Sequence, residues 1–213
     1  MATVRVTEIF LSLQGESTRA GFPCAFVRLT GCSLRCVWCD SAYAFSGGEV
    51  LDVEEAARRV LDLPADLVEI TGGEPLEQEG VYPLIDRLLE AGRTVLLETG
   101  GHVPIDRVDP RVIKIVDLKA PGSGMAAANL PENLDGLGSK DELKFVLADR
   151  RDFDWALALV CARDLDRLHP VTFSPVWESL SAPELAGWVR DSGRSIRLGL
   201  QLHKLLWGDL PGR

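Results

Sequence analysis

Apolar and polar positions along this chain follow two periods in turn. Residues 4–11 and 25–30 (AFVRLT) are β-prone runs that read as strands. From residue 52 onward, strands and amphipathic stretches alternate. Asp52 and Glu55 have the D-x-x-E spacing of a helix start. Val53, Ala56, Ala57, Val60 and Leu61 follow at the spacing of one helix face. Residues 67–71 (LVEIT) read as a strand. Val81, Leu84, Ile85, Leu88 and Leu89 repeat the helical spacing, and Gly92 stops it. Residues 94–99, 112–118 and 142–148 read as further strands, and the glycines and prolines between 120 and 139 predict a loop. A helix is expected over 152–162 and a strand over 171–174. Ser181 and Glu184 start another helix, with Leu185, Trp188 and Val189 behind them, and residues 196–202 close the chain as a strand.

Near-continuous apolar strands alternating with amphipathic helices predict an α/β fold with a parallel sheet covered by helices. The strands are too few for a complete eight-fold barrel, which leaves an open doubly wound sheet or an incomplete barrel. No repeat or linker divides residues 1–213, so a single domain is expected. In such folds function sits at the C-terminal ends of the strands. Cys32, Gly72-Gly73-Glu74, Glu98-Thr99 and Lys119 all fall at those ends.

Charge narrows the partners. With 23 basic against 32 acidic residues the net charge is -9. That argues against binding nucleic acid or an anionic membrane, which requires basic side chains. The longest apolar run, residues 155–162, is far short of the ~20 needed to cross a bilayer. The N-terminus lacks the features of a signal peptide. A reducing cytoplasm is the expectation, and there the 5 cysteines point to metal or catalysis rather than disulfides.

Cys32, Cys36 and Cys39 form a C-x3-C-x2-C cluster. A structural zinc site needs a fourth ligand. Cys24 precedes the 25–30 strand and should lie at its opposite end. Cys161 falls in an apolar helical stretch and is expected to be buried. Asp40 is an unusual fourth ligand, and a thioredoxin-type pair leaves one cysteine unexplained. A [4Fe–4S] cluster with one iron open to a substrate or cofactor accounts for all three.

This spacing, with Trp38 before the last cysteine, resembles the signature of the radical S-adenosylmethionine (SAM) superfamily. Thr71-Gly-Gly-Glu-Pro75, one βα unit later, matches that superfamily's motif for the SAM amino group. The flanking segments are more specific. They are residues 8–16 (EIFLSLQGE), 21–32 leading into the cluster, Cys39-Asp-Ser41, Asp117-Leu-Lys119 with Pro121-Gly-Ser-Gly124, and Gln201-Leu-His-Lys204. Together they resemble the 7-carboxy-7-deazaguanine synthase family. The same motifs leave open another small radical SAM enzyme, such as a glycyl-radical-activating enzyme. A zinc-stabilised binding protein and an iron–sulfur electron carrier are more distant alternatives.

The resemblance implies an incomplete parallel β/α barrel of about six strands. It implies conversion of 6-carboxy-5,6,7,8-tetrahydropterin to 7-carboxy-7-deazaguanine with loss of ammonia, using a [4Fe–4S] cluster, SAM and Mg²⁺. It further implies a flavodoxin- or ferredoxin-like reductant and a homodimer. By position, Leu13, Gln14, Gly15, Arg28, Thr71, His203 and Pro211 would contact the substrate. Gly73, Glu74, Asp117, Leu118, Lys119, Ser174, Pro175, Val176, Trp177 and Trp38 would serve SAM. Cys32, Cys36 and Cys39 would hold the cluster, and Ser41 the Mg²⁺. The chain departs from the family pattern at Asp117-Leu118, where some relatives have Ser-Pro, and at Ser174, often Gln. His102 and His169 have no motif support, and a lone histidine is usually structural or solvated.

Overall fold

The protein is described by a computed structural model covering residues 2–208; Pro211 lies outside the described residues. Nine strands form one sheet, in the order β3-β1-β2-β4-β5-β6-β7-β8-β9. They are β1 (Thr3–Leu13), β2 (Pro23–Leu29), β3 (Glu49–Asp52), β4 (Leu67–Gly72), β5 (Thr94–Thr99), β6 (Ile113–Asp117), β7 (Glu142–Leu147), β8 (Val171–Pro175) and β9 (Ile196–Leu198). From β2 to β9 every neighbouring pair is parallel. β1 runs antiparallel to both β2 and β3. The sheet does not close on itself, so the incomplete barrel stands, with an antiparallel edge the sequence reading did not include.

The helices sit where capping chemistry places them. Asp52 accepts the Glu55 amide at 2.9 Å and starts α1 (Val53–Leu61). α2 (Val81–Glu90) buries Val81, Leu84, Ile85 and Leu88, and ends at Gly92, whose φ of 78° is a left-handed conformation. α4 (Arg150–Arg163) begins two residues earlier than expected, because Asp149 caps it. Asp152 then turns inward and accepts the Gly122 amide at 2.8 Å. Ser181 caps α6 (Ala182–Asp191) through the Glu184 amide. The short helices α3 (Glu132–Asp135), α5 (Leu165–Leu168) and α7 (Leu202–Trp207) complete the set.

Three sequence expectations are corrected. β3 is an unforeseen four-residue edge strand directly before the α1 cap. The last strand stops at Leu198, not residue 202. A Cβ at Gly199 would press on Ser174 Oγ and Thr172 Cγ2, so the chain leaves the sheet there and re-forms as α7. Cys161 is exposed rather than buried, because α4 turns Phe153, Ala156 and Val160 to the core and Cys161 outward.

Register explains the interior. Residues paired across the ladder share a face. Val68, Ile70, Leu97, Val116, Phe145 and Phe173 all point to the helix-covered side and fill its cores. Burying each such side chain contributes about 1.5–3 kcal/mol. The other face lines the barrel and is layered. Cys24, Phe26, Leu67, Leu96, Ile113 and Ile115 form an apolar floor with Phe10. Above them, toward the strand C-termini, the same face carries Arg28, Glu69, Thr71, Glu98, Asp117 and Lys144. Apolar bottom and charged top follow from alternate residues of the same strands.

Candidate active site

The barrel interior opens into a cavity of about 590 Å³, the size of a small-molecule site. Cys32, Cys36 and Cys39 line it, on the loop that follows β2. That loop is braced from two sides. Ser33 donates its amide to Glu77 Oε1 at 3.1 Å, and Val37 donates its amide to the Ser123 carbonyl at 3.1 Å. Arg35 reaches back to the Cys32 and Leu34 carbonyls, both at 2.6 Å, with its guanidinium over the Phe45 ring. The Pro121–Ser123 turn lies against Trp38, so an added Cβ at Gly122 would sit 3.0 Å from that ring.

The donor set tells a cluster from a single ion. Among the described residues, no three His, Cys, Asp or Glu side chains converge closely enough to hold one metal ion. A zinc site would draw its thiolates to about 2.3 Å from one centre. In an iron–sulfur cluster the thiolates are spread over the cluster's irons rather than gathered on one ion. Three cysteine thiols on one cavity, with no fourth cysteine in its lining, are the donor set of a [4Fe–4S] cluster with one iron left open. Burial pushes the Cys32 thiol up to about 11 and raises Cys36 as well, while the Lys119 ammonium pulls both down. A bound metal centre removes that burden, since a coordinated thiol is deprotonated.

The Thr71–Pro75 turn docks on the cluster loop through backbone contacts. Gly73 donates its amide to the Leu29 carbonyl at 3.0 Å, and Glu74 donates its own to Gly31 at 2.8 Å. A Cβ on Gly73 would penetrate the Gly31 carbonyl, one residue before Cys32. The glycine is thus required for close approach. Glu74 has a different job from the expected ammonium contact. Its fully buried carboxylate already accepts the Leu76 amide at 3.0 Å, the Gly100 amide at 2.8 Å and the Thr99 hydroxyl at 2.8 Å. It ties the ends of β4 and β5 together and leaves the backbone of Gly72–Gly73 to face the cavity.

Deeper in the cavity lies a charge network that the sequence reading missed. Lys144 of β7 pairs with Glu16 and, at 2.7 Å, with Glu98 of β5. Thr71 donates to the other Glu98 oxygen at 3.2 Å. Gln14 donates one Nε2 hydrogen to Glu69 at 2.8 Å and accepts the Glu16 and Ser17 amides on its oxygen. Burial acts on both acids, but the outcomes differ. Lys144 overrides it at Glu98 and holds that carboxyl down at about 2, whereas burial and the Glu98 charge push Glu69 up to about 8. The only signal in sequence was an isolated charge within a largely apolar strand, Glu69 in LVEITG, Glu98 in TVLLET and Lys144 in ELKFVL.

Glu69 makes stability fall with pH. Its folded pKa of about 8 exceeds the ordinary 4.5, so between those values the folded state holds a proton the unfolded state has lost. Stability from this group is complete below 4.5 and lost as pH rises through 8. Between pH 5 and 9 the wild type should lose on the order of a few kcal/mol that Glu69→Gln keeps, as read by unfolding of the reconstituted protein. Equal pH slopes in the two proteins would contradict this.

The C-terminal segment covers the open side of the barrel. Leu202 donates its amide to the Gly15 carbonyl at 3.1 Å, and a Cβ at Gly15 would sit 2.8 Å from His203 Nδ1. Gln201 bridges Glu16 at 2.6 Å and Asp40 at 3.0 Å. Leu13, Gln14, Gly15, Arg28, Ser41, Thr71, Gly73, Glu74, Asp117, Lys119, Val176, Trp177 and His203 line the cavity with Trp38 and the cysteines. Leu118, Ser174 and Pro175 do not. Strand alternation turns Leu118 into the helix-side core, and Gly199 packs over Ser174 at the end of β8. His102, without motif support in the sequence, also lines the cavity, with Nε2 3.1 Å from Glu77.

Comparison with known proteins agrees with this geometry. Residues 26–116 match the family model of the Radical SAM superfamily. The chain is 44% identical to a 7-carboxy-7-deazaguanine synthase of Koribacter versatilis, covering 96% of this chain and 97% of that one. It is 43% identical to the synthase of Chlorobaculum tepidum, over 97% and 95% of the two chains. The fold resembles the crystal structure of QueE from Escherichia coli, with a TM-score of 0.77 at 24% identity, covering 94% of this chain and 95% of that one. Matches of this strength over nearly the whole of both chains place the protein in the 7-carboxy-7-deazaguanine synthase family, within the radical SAM superfamily.

Proposed function

We propose that the cavity takes 6-carboxy-5,6,7,8-tetrahydropterin and releases 7-carboxy-7-deazaguanine with loss of ammonia. One observation carries this reading: a single cavity is lined by the three cysteines, the Gly72–Gly73 turn, Arg28 and the Leu13–Gly15 stretch. The curated relatives bear the name of that synthase. As in the superfamily, the cofactors are a [4Fe–4S] cluster and SAM. When bound, they supply the one-electron chemistry that removes a hydrogen atom from the substrate.

The chain's own residues do the rest. Arg28 spends its Nε on Glu8 at 2.7 Å. Its two terminal nitrogens then suit a bidentate contact with the substrate carboxylate. Asp117 binds Lys119 through one oxygen at 2.7 Å and leaves Oδ1 buried without a partner. That orphaned acceptor suits a ribose hydroxyl of SAM. The Gln14 backbone is bonded to Phe22 and Gly21 and the Gly15 carbonyl to Leu202, so the Gly15 amide and the second Nε2 hydrogen of Gln14 are the groups this stretch would offer the substrate. Closure by residues 201–204 keeps water from the reacting groups.

Ser41 caps no amide of the short turn it precedes, and its hydroxyl lies on the cavity wall. A hard oxygen there suits Mg²⁺, which takes one protein ligand with substrate and water. Ser41→Ala should flatten the magnesium dependence of turnover by about tenfold or more. An unchanged magnesium titration would remove Ser41 from the site. The reading includes a flavodoxin- or ferredoxin-like reductant, a homodimer and a reducing cytoplasmic setting. Among the described residues no helix is long and apolar enough to cross a membrane. Turnover of the pterin by anaerobically reconstituted protein tests the whole proposal.

A further inference from the structure

The carboxylates on the cavity wall are unequally occupied. Glu74 is saturated by its own chain. Glu16 has one oxygen on Gln201 and the other on Lys144. Glu98 has one on Lys144 and the other on Thr71. Asp40, half open to solvent, has its Oδ2 on Gln201. On the more buried carboxylates two acceptors are left. One is Asp117 Oδ1, at the mouth beside Lys119. The other is Glu69 Oε1, near the floor, which has no partner among the described residues, while Oε2 holds Gln14.

Glu69 has distinctive neighbours. In the ladder it pairs with Phe26 on one side and Leu96 on the other. Phe26 lines the cavity and is itself backed by Phe10, the two rings stacked at 5.1 Å. A flat apolar surface beside one fixed acceptor suits a heterocycle that stacks on its face and presents an N–H at its edge. Gln14 fixes the carboxyl plane, so the free oxygen is aimed in advance.

We propose that Glu69 is a specificity residue that reads the amino-pyrimidinone edge of the ligand, its Oε1 accepting an N–H from the 2-amino-4-oxopyrimidine ring. This rests on the functional reading above, since both the pterin and the deazaguanine carry that ring. Glu69 lines the cavity, and Oε1 is the oxygen that its own chain leaves to a ligand N–H. Burial and the charge of Glu98 favour a proton on Glu69, and a ligand N–H donor favours its release. A ring that lacks the exocyclic amine leaves an oxygen uncompensated, and such a mismatch discriminates strongly.

The test uses reconstituted wild type and Glu69→Gln with two ligands, 7-carboxy-7-deazaguanine and the same compound lacking the 2-amino group. In the variant, Gln14 Nε2 still needs an acceptor, so the new amide turns its oxygen to Gln14 and its NH₂ to the cavity, donor against donor. Calorimetry should show the wild type preferring the amino compound by about tenfold or more. The preference should shrink to within about threefold in Glu69→Gln, with iron content unchanged. Equal preference in both proteins overturns the Glu69 assignment, as does a wild type that does not distinguish the ligands. If the variant does not hold its cluster, the wild-type comparison alone decides. A wild type that turns over the pterin but fails these comparisons loses only Glu69. One that binds neither ligand and turns over no pterin loses the functional reading as well.

Discussion

Alanine at Cys32, Cys36 or Cys39 should each leave anaerobically purified protein without its iron and sulfide and abolish SAM cleavage, while alanine at Cys24 or Cys161 should leave both intact. The structure separates the two groups by position. The first three line the cavity at the C-terminal end of the barrel. Cys24 is wholly buried in the apolar floor, at the start of β2. Burial and the Glu69 charge drive its thiol far above the usual range, the opposite of what a ligand needs. Removing its sulfur opens a small void worth about 1 kcal/mol, too little to unfold the chain. Cys161 faces solvent from α4. Iron and sulfide analysis of the five variants decides the matter. Cluster loss in Cys24→Ala, with any of the other three retaining it, would mean the wrong trio.

Gly73→Ala should have an effect of similar size without touching a ligand. The Gly73 amide is bonded to Leu29 and the following amide to Gly31, so the turn lies flat against the backbone that leads into Cys32. A methyl group at Gly73 runs into the Gly31 carbonyl, which is backbone and cannot swing away. Either the turn or the cluster loop must move. Both are part of one constellation, and displacement by about an ångström costs on the order of a hundredfold in rate. SAM affinity and SAM cleavage should therefore fall together, by about a hundredfold for cleavage. Gly187→Ala is the matched control: it sits in α6 with nothing within 4 Å of an added Cβ. Alanine there favours the helix. SAM binding by Gly73→Ala within about threefold of wild type would contradict the docking argument.

Much of this was legible because it is local. The helix starts at Asp52 and Ser181 and the stop at Gly92 are written in neighbouring residues, and so are the strand cores from LVEIT to ELKFVLA. The cysteine loop and the Thr71–Pro75 turn are local too, and the parallel order of the strands brings them to one end. What escaped depends on contacts between distant segments. Glu16, Glu98 and Lys144 meet only because the loop after β1 and the strands β5 and β7 share one interior. In sequence, each is a lone charge. Glu74 looked like a ligand for an ammonium group, but the amides that saturate it come from its own turn and from the end of β5. The edge strand β3 is four residues long, with one buried, too little pattern to read.

Product identification by mass spectrometry shows whether this cavity converts the pterin to the deazapurine. Anaerobically reconstituted wild-type protein is given 6-carboxy-5,6,7,8-tetrahydropterin, SAM, Mg²⁺ and a one-electron reductant. The expected result is 7-carboxy-7-deazaguanine, lighter than the substrate by one ammonia, with many turnovers per SAM consumed. Cluster-loaded protein that cleaves SAM but leaves the pterin unchanged would rule this conversion out.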